Sequence, residues 1–264
     1  MPILSGKPIA EKILSETKAR IGQSGIVPGL GIVLVGDDAA SRIYVELKEK
    51  RARELGIHVV RTELPMTATE TDALDAVRAF NADSSIHGII MQLPLPGHID
   101  ADRIIAAVDP TKDADGFIAG DPVFPEAIIE LAKSVAGTLS GKKGVVIANS
   151  ERFGETMRRS LEHQGMEAEY VLGDSVALER IRDADIVVTA LGRPDALPRN
   201  MFKKGAIVID GGIARKDGRT RGDVSSEGDG EDVFLSPVPG GVGPVTIACL
   251  LRRVTDLAIR KTAL

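Results

Sequence analysis

Short apolar runs alternate with helix-like stretches along almost the whole chain, and this alternation restricts the fold more than any other feature. Gly31-Ile32-Val33-Leu34-Val35-Gly36 reads as a buried strand stopped by glycine, and residues 41–55 read as the helix that follows. In that helix Ile43, Leu47 and Leu55 are the expected apolar face, Glu46, Glu49, Lys50 and Arg53 the expected solvated one, and Ser41 the candidate N-cap. Residues 58–64 form a second expected strand and 70–80 a second helix. Residues 87–92 form a third strand, ended by Leu93-Pro94-Leu95-Pro96, and 102–108 a further helical stretch. Continuous apolar strands separated by helices predict a mostly parallel sheet covered on both faces. The rhythm restarts after Ser140-Gly141-Lys142, with strands expected at 144–148, 168–172, 185–190 and 206–210 and a helix at 154–164. Asp217-Gly218 and Glu227-Gly228-Asp229-Gly230 read as surface turns. The expected fold class is α/β, with two α/β lobes around a cleft. Residues 1–136, completed by a final helix at 246–264, form the first lobe; residues 137–245 form a Rossmann-like second lobe, with 125–136 as the bridge.

A chain of 264 residues is long enough for this arrangement, and 43% hydrophobic with 27% charged residues suits a soluble globular protein. A net charge of −5 does not favour nucleic acid or an acidic membrane as the main partner. The absence of tryptophan and an aromatic content of 3% argue against base-stacking platforms. Cys249 is the only cysteine, so the expectation is no intrachain disulfide, no cysteine metal cluster and a reducing cytoplasm. The segment Met1-Pro2-Ile3-Leu4-Ser5-Gly6-Lys7 lacks the pattern of a secretion signal, and no apolar run is long enough to span a bilayer.

Two elements far apart in sequence carry the chemistry. The loop Pro237-Val238-Pro239-Gly240-Gly241-Val242-Gly243-Pro244 is dense in residues that either fix φ or let backbone approach a ligand closely. Tyr44 and Lys48 lie one helical turn apart, which places a phenol and an amine on the same face. Such a pair also occurs on ordinary solvated surfaces. Its position just past a strand end is what singles it out, because ligands of open α/β sheets gather at carboxyl ends. Gln92 closes the third strand and should emerge at the same edge; a rim glutamine bonding to backbone is the plainer reading. Asp115 lies in the acidic turn Asp113-Ala114-Asp115-Gly116-Phe117, where it either faces a ligand or only bonds its own backbone.

Taken together, these strings resemble a known family. Residues 40–48, Gly88-Ile89-Ile90-Met91-Gln92-Leu93-Pro94-Leu95-Pro96, Lys112-Asp113-Ala114-Asp115-Gly116-Phe117 and the 237–244 loop are similar to the signatures of bifunctional methylenetetrahydrofolate dehydrogenase/cyclohydrolase, the FolD type. The resemblance implies interconversion of methylene-, methenyl- and formyl-tetrahydrofolate. One step transfers a hydride to a nicotinamide cofactor; the next adds water to the methenyl cation. It implies Lys48 as the proton-moving group, positioned by Gln92. Tyr44 would stack on the folate, and Asp115 would bond the pterin edge. Leu93, Pro239, Gly240, Gly241 and Pro244 would line the folate site. A lysine acting as a base has to be neutral part of the time, so partial desolvation of Lys48 is expected. The resemblance also implies a homodimer through the second lobe.

The cofactor half departs from the family. The usual Gly-Arg-Ser-x-x-Val-Gly-x-Pro turn is Ala148-Asn149-Ser150-Glu151-Arg152-Phe153-Gly154-Glu155-Thr156 here. Ala148 puts a methyl group where backbone should meet pyrophosphate, and Glu151 and Glu155 add negative charge near a helix start. Asn149, Ser150, Gly154, Gly192, Gly212 and Ile213 remain the expected cofactor-binding residues. Asp174 joins them about twenty residues after Gly154, where an acid binds an NAD ribose. An acid there without the usual cation predicts NAD in preference to NADP. The segment that family members carry after Asp-Gly-Phe is shortened to Ile118-Ala119-Gly120-Asp121 before Pro122-Val123-Phe124-Pro125. Two alternatives follow from the sequence. One is a divergent member that keeps only cyclohydrolase activity or folate binding. The other is a short-chain dehydrogenase, suggested by Tyr44-x-x-x-Lys48, although in those enzymes the dinucleotide turn precedes the Tyr/Lys pair.

Overall fold

The structure, a computed structural model, describes residues 3–173, 178–225 and 232–262. Contacts divide the chain into two compact units, one of Lys12–Val123 with Ile247–Leu264, the other of Met1–Glu11 with Phe124–Thr246. Helix α1 (Lys7–Ser24) opens the chain. It is followed by β1 (Gly29–Val35), α2 (Ala39–Leu55), β2 (His58–Leu64), α3 (Glu70–Ala82), β3 (Gly88–Met91) and α4 (Ala101–Ala106).

In the first unit β1 is the centre of a three-stranded sheet of order β2-β1-β3, parallel on both sides. Every residue of β1 and β3 is buried, whereas β2 alternates between exposed and half-buried positions as an edge strand does. Val33, Val35, Ala73, Val77, Phe80, Ile86, Ile89 and Ile104 form one core between the sheet and α3 and α4. A Cβ on Gly88 would come within 2.8 Å of Val254, a residue of the C-terminal helix that packs on β3. Helix α3 starts with a reciprocal capping box between Thr69 and Asp72.

Helix α2 differs from the sequence expectation in two respects. Its N-cap is Asp38, whose side chain accepts from the Ser41 amide, so Ser41 lies inside the first turn. Its buried stripe is Ser41, Val45, Glu49, Ala52 and Leu55, while Ile43 is 58% and Leu47 40% exposed. The burial of Glu49 explains the rotation. Its carboxylate meets Arg53 at 3.3 Å on the same helix and Arg61 at 3.3 Å on β2, and this ion pairing offsets the desolvation of the charge.

The second unit contains α5 (Val123–Ala136) from Phe124 onward, β4 (Lys143–Ala148), α6 (Glu151–Glu162), β5 (Glu167–Leu172), α7 (Leu178–Asp183), β6 (Ile186–Ala190) and β7 (Ile207–Asp210). A small antiparallel hairpin of β8 (Ala214–Lys216) and β9 (Arg219–Arg221) follows, then β10 (Phe234–Leu235) and α8 (Val242–Thr262). Asp217 and Gly218 turn the hairpin with φ of 52° and 72°. The expected turn at 227–230 lies outside the described residues. Five parallel strands run in the order β10-β7-β6-β4-β5. The chain leaves β4 first to one side, for β5, and then to the other, for β6. Such a reversal is the switch point at which doubly wound sheets bind ligands. Phe124 of α5 packs on Phe153 of α6, with ring centroids 5.8 Å apart, and stands 2.9 Å from where a Gly211 Cβ would be. These contacts tie α5 to the second sheet, so the division falls at 123/124, whereas the sequence reading set it at 136/137. The extreme N-terminus joins the same unit through Leu4 N–H to Leu235 O and Gly6 N–H to Gly240 O, each 2.9 Å. Among the described residues no helix is long and apolar enough to cross a membrane.

Candidate active site

Lys48, Gln92 and Asp115 meet at the carboxyl edge of the three-stranded sheet. Helix α2 starts just past the end of β1, and its Lys48 projects toward the end of β3. The Gln92 amide is anchored there by its backbone N–H, which donates to Val33 O at 2.9 Å. The Lys48 Nζ donates to Gln92 Oε1 at 2.9 Å, and Gln92 Nε2 donates to Leu93 O at 2.6 Å. An ammonium has no acceptor to offer, so the glutamine must turn its oxygen to the lysine, and the Leu93 carbonyl holds the other end of the amide. Leu93 packs against the core of this unit, and its bond to Pro94 is cis.

The electrostatics of the pair follow from burial. Desolvation pulls the Lys48 amine below its ordinary value, and the Asp115 carboxylate works in the opposite direction. Desolvation pushes the Asp115 carboxyl up to about 6; Lys48 and Arg253 oppose that rise and Asp113 adds to it. Tyr44, half-buried one turn before Lys48, has its phenol pushed up by burial.

Sequence reasoning missed two residues that fix the segment leading to Asp115. Lys112 is buried, and its Nζ donates to Phe80 O at 2.9 Å, Asn81 O at 2.8 Å and Asp83 O at 2.7 Å, closing the carbonyl end of α3. Asp113 takes the role that had been the plainer reading for Asp115, accepting from the amides of Gly116 at 2.9 Å and Ile118 at 2.7 Å. Ala114 N–H donates to Ile89 O, which fixes the turn to β3. With the turn held by Asp113, the Asp115 carboxylate is left to interact with Lys48.

The proline–glycine loop belongs to the other unit. Gly241 N–H closes a turn on Pro237 O at 2.7 Å, and Gly240 adopts φ +105°, a conformation suited to glycine. Pro239 is exposed, Gly241 buried and Pro244 half-buried in the first turn of α8. Gly6 leaves no room for a side chain beside Gly241, which explains the close backbone pairing of these two segments.

Of the expected cofactor residues, Asn149, Ser150, Gly192, Gly212 and Ile213 lie at the ends of β4, β6 and β7, around the switch point of the five-stranded sheet. Asn149 follows β4, and its N–H donates to Ala190 O at 3.2 Å. Ser150 is the N-cap of α6 and accepts from Phe153 N–H at 3.4 Å. Gly154 is buried because a Cβ there would lie 2.5 Å from the Tyr170 ring of β5; this is the helix–strand packing role of a Rossmann glycine. Gly192 follows β6 with φ +68°, and a Cβ on it would be 4.0 Å from Ile213 O after β7. Ile213 is 49% exposed. Gly212 lies against the Asp223 carboxylate. Glu155 does not burden the helix start as the sequence suggested. Its carboxylate is clamped by Arg158 at 2.8 Å and Arg159 at 2.7 Å, which hold its pKa down at about 2. Asp174 lies outside the described residues. Arg193, also missed, brings Nη1 to 3.7 Å from where a Gly173 Cβ would stand, at the end of β5.

Comparison with known proteins agrees with this division of labour. Residues 4–115 match the tetrahydrofolate dehydrogenase/cyclohydrolase catalytic domain, and residues 122–262 match the tetrahydrofolate dehydrogenase/cyclohydrolase NAD(P)-binding domain. The bifunctional protein FolD 1/3 of Ruegeria pomeroyi is 38% identical over 294 aligned residues, covering 99% of this chain and 96% of that protein. The crystal structure of the bifunctional FolD enzyme from Campylobacter jejuni superposes with a TM-score of 0.91 at 35% identity, covering 100% of both chains. The Trypanosoma brucei FolD, solved with NADP and an inhibitor, superposes with a TM-score of 0.91 at 28% identity, covering 100% of this chain and 99% of that one.

Proposed function

This chain belongs to the tetrahydrofolate dehydrogenase/cyclohydrolase family, and on that premise we propose that it is a bifunctional enzyme with Lys48 at the centre of its chemistry. It oxidises methylene-tetrahydrofolate to the methenyl cation with NAD or NADP, then hydrolyses the methenyl ring to formyl-tetrahydrofolate. The observation that carries this reading is the 2.9 Å bond from a desolvated Lys48 amine to Gln92, with Asp115 as its charge partner.

In the hydrolytic step a water oxygen bonds to the methenyl carbon, and one water proton has to leave. A free lysine amine, with a pKa of roughly 10.4, is seldom neutral near pH 7. Burial lowers that value, and a cationic substrate beside it lowers it further, so neutral Lys48 accepts the proton. Ring opening then breaks a carbon–nitrogen bond as the new hydroxyl loses its proton to solvent and becomes the formyl carbonyl, and protonated Lys48 returns its proton to the departing nitrogen. Gln92 keeps Nζ on this line, Tyr44 stacks on the folate and Leu93 borders it. Asp115 accepts hydrogen bonds from the pterin edge.

The bound dinucleotide would accept the hydride in the oxidative step. Asn149, Ser150, Gly192, Gly212 and Ile213 fit such a ligand because they share the carboxyl edge of β4, β6 and β7, where glycine backbone and a helix start can approach a pyrophosphate. Gly154 supports them by allowing α6 to pack on β5. The acid Asp174 in the sequence just after the second strand of this unit, without the family's usual cation there, favours NAD. One observation favours NADP: the Arg193 guanidinium at the end of β5 is a cation for a 2′-phosphate. We also place the enzyme in the cytoplasm as a homodimer, on its single cysteine and the habit of the family.

The test uses two assays. Methylene-tetrahydrofolate is supplied with NAD or NADP and methenyl absorbance is followed; methenyl-tetrahydrofolate is then supplied alone and its decay is followed. Activity in both supports the bifunctional reading, with the faster dinucleotide deciding the cofactor. Silence in the first assay refutes the dehydrogenase half, and silence in the second the cyclohydrolase half.

A further inference from the structure

We propose that Asp223 is a positioning residue for the dinucleotide, fixing the backbone after β6 and β7 in the shape that receives it. The proposal rests on the reading above that a dinucleotide binds at this edge.

Asp223 is fully buried just past the β8–β9 hairpin. Its Oδ2 accepts from Thr189 Oγ1 at 2.7 Å and from Leu191 N–H at 2.6 Å, and its Oδ1 from Arg193 N–H at 2.8 Å. All three donors lie at or just past the carboxyl end of β6. Gly192, with φ +68°, lies between the two clamped amides, so the carboxylate and the left-handed glycine together define one loop. The same carboxylate abuts Gly212, where any Cβ would collide with it. The loop after β7 is drawn in from the other side. Asp210 accepts from Gly212 N–H at 3.0 Å, Asp223 N–H at 3.1 Å and Val224 N–H at 2.8 Å. The two cofactor loops are therefore cross-braced by a pair of neighbouring buried carboxylates.

Burying a charge is costly, and each charge-assisted hydrogen bond recovers part of that cost. The outcome is a loop of fixed shape in the absence of ligand, and a pre-shaped loop forfeits less ordering entropy when the dinucleotide arrives. The Asp210 carboxyl is pushed up to about 6 by burial, with the neighbouring Asp223 adding to the rise, which fits two carboxyls sharing one dry site.

An asparagine cannot replace this aspartate. Whichever way its amide turns, the NH₂ group faces at least one of the donors on Oδ1 or Oδ2. Asp223→Asn should therefore raise the dinucleotide Kd at least tenfold, while kcat at saturating cofactor stays within about threefold. Thr189→Val removes only the hydroxyl donor and leaves both loop amides held. It should lower the unfolding midpoint and leave Kd within threefold. Titration calorimetry with NAD and NADP on the folded full-length proteins supplies Kd, and initial rates supply the KM and kcat split. A wild-type protein that binds neither dinucleotide overturns both this proposal and the cofactor reading. Wild-type binding with an unchanged Kd in Asp223→Asn overturns this proposal alone. Loss of kcat without loss of affinity does the same. Should Asp223→Asn fail to fold, amide hydrogen exchange on the wild-type protein decides. The Leu191 and Arg193 amides should be as protected without ligand as those of β6, and rapid exchange there overturns the proposal.

Discussion

Replacing Gln92 by glutamate tests the electrostatic account of Lys48 with almost no change in shape. The amide oxygen that accepts from Lys48 Nζ at 2.9 Å becomes a carboxylate oxygen at the same place. Two unit charges at that separation attract by about 1.4 kcal/mol in a water-like medium and by about 6 kcal/mol at an effective dielectric near 20. Since 1.36 kcal/mol is one pKa unit, the Lys48 amine should titrate roughly one to four units higher than in the wild type. Asp115 already shares the field of this amine, and its repulsion of the new carboxylate moves the result toward the lower end. The neutral fraction of Lys48 near pH 7 then falls at least about tenfold. The assay is the decay of methenyl-tetrahydrofolate as a function of pH, corrected for the uncatalysed rate. The limb of the profile that rises with lysine deprotonation should move to higher pH in Gln92→Glu. Gln92→Met removes the acceptor without adding charge and should leave the limb where it is or move it lower. An unmoved or acid-shifted limb in Gln92→Glu refutes the reasoning, because the group that titrates would then not be the amine beside residue 92.

Two further predictions concern stability. The Asp115 carboxyl, raised to about 6 from 3.8, binds more protons folded than unfolded between those values. Its contribution is fully present below about pH 4 and is lost as the pH rises through about 6. Relative to the wild type, Asp115→Asn should therefore gain up to about 3 kcal/mol between pH 4 and pH 7 in urea unfolding; a difference independent of pH would contradict this. Gly154→Ala sets a helix-propensity gain of about 1 kcal/mol against roughly 1–3 kcal/mol of overpacking. The tight site, with Tyr170 Cδ2 2.5 Å from the new Cβ, makes the overpacking prevail and Tm fall. Gly22→Ala in α1, where nothing lies within 4 Å, should raise Tm instead, and a rise for both variants would show that Gly154 is not packing-limited.

The strands were legible because their apolar runs are continuous and their ends are marked by glycine, as in Val35-Gly36 and Leu172-Gly173. Lys48 and Gln92 stood out in the sequence because each lies past a strand end within a motif, and Asp115 because it lies in the acidic turn Asp113-Ala114-Asp115-Gly116. The face of α2 was not. Ile43 and Leu47 have helical spacing, but the helix turns them outward because Glu49 finds Arg53 and Arg61 within reach. The partnership of Glu49 with Arg61 spans the gap from helix to strand, and helical periodicity carries no trace of it. The same holds for Lys112 at the end of α3 and for Asp223 at the end of β6, whose partners are backbone groups about thirty positions away, fixed only by tertiary structure. Gly154 is a further case: the sequence marked it only as a cofactor-binding residue, and its packing on the Tyr170 ring is set by how α6 lies on β5.

The central claim is that one desolvated amine transfers the proton in ring hydrolysis. Lys48→Gln keeps a polar side chain of similar reach and removes the titrating group. Decay of methenyl-tetrahydrofolate by this variant should fall to the uncatalysed rate, while calorimetry still detects folate binding. Turnover at the wild-type rate with folate bound would contradict the account.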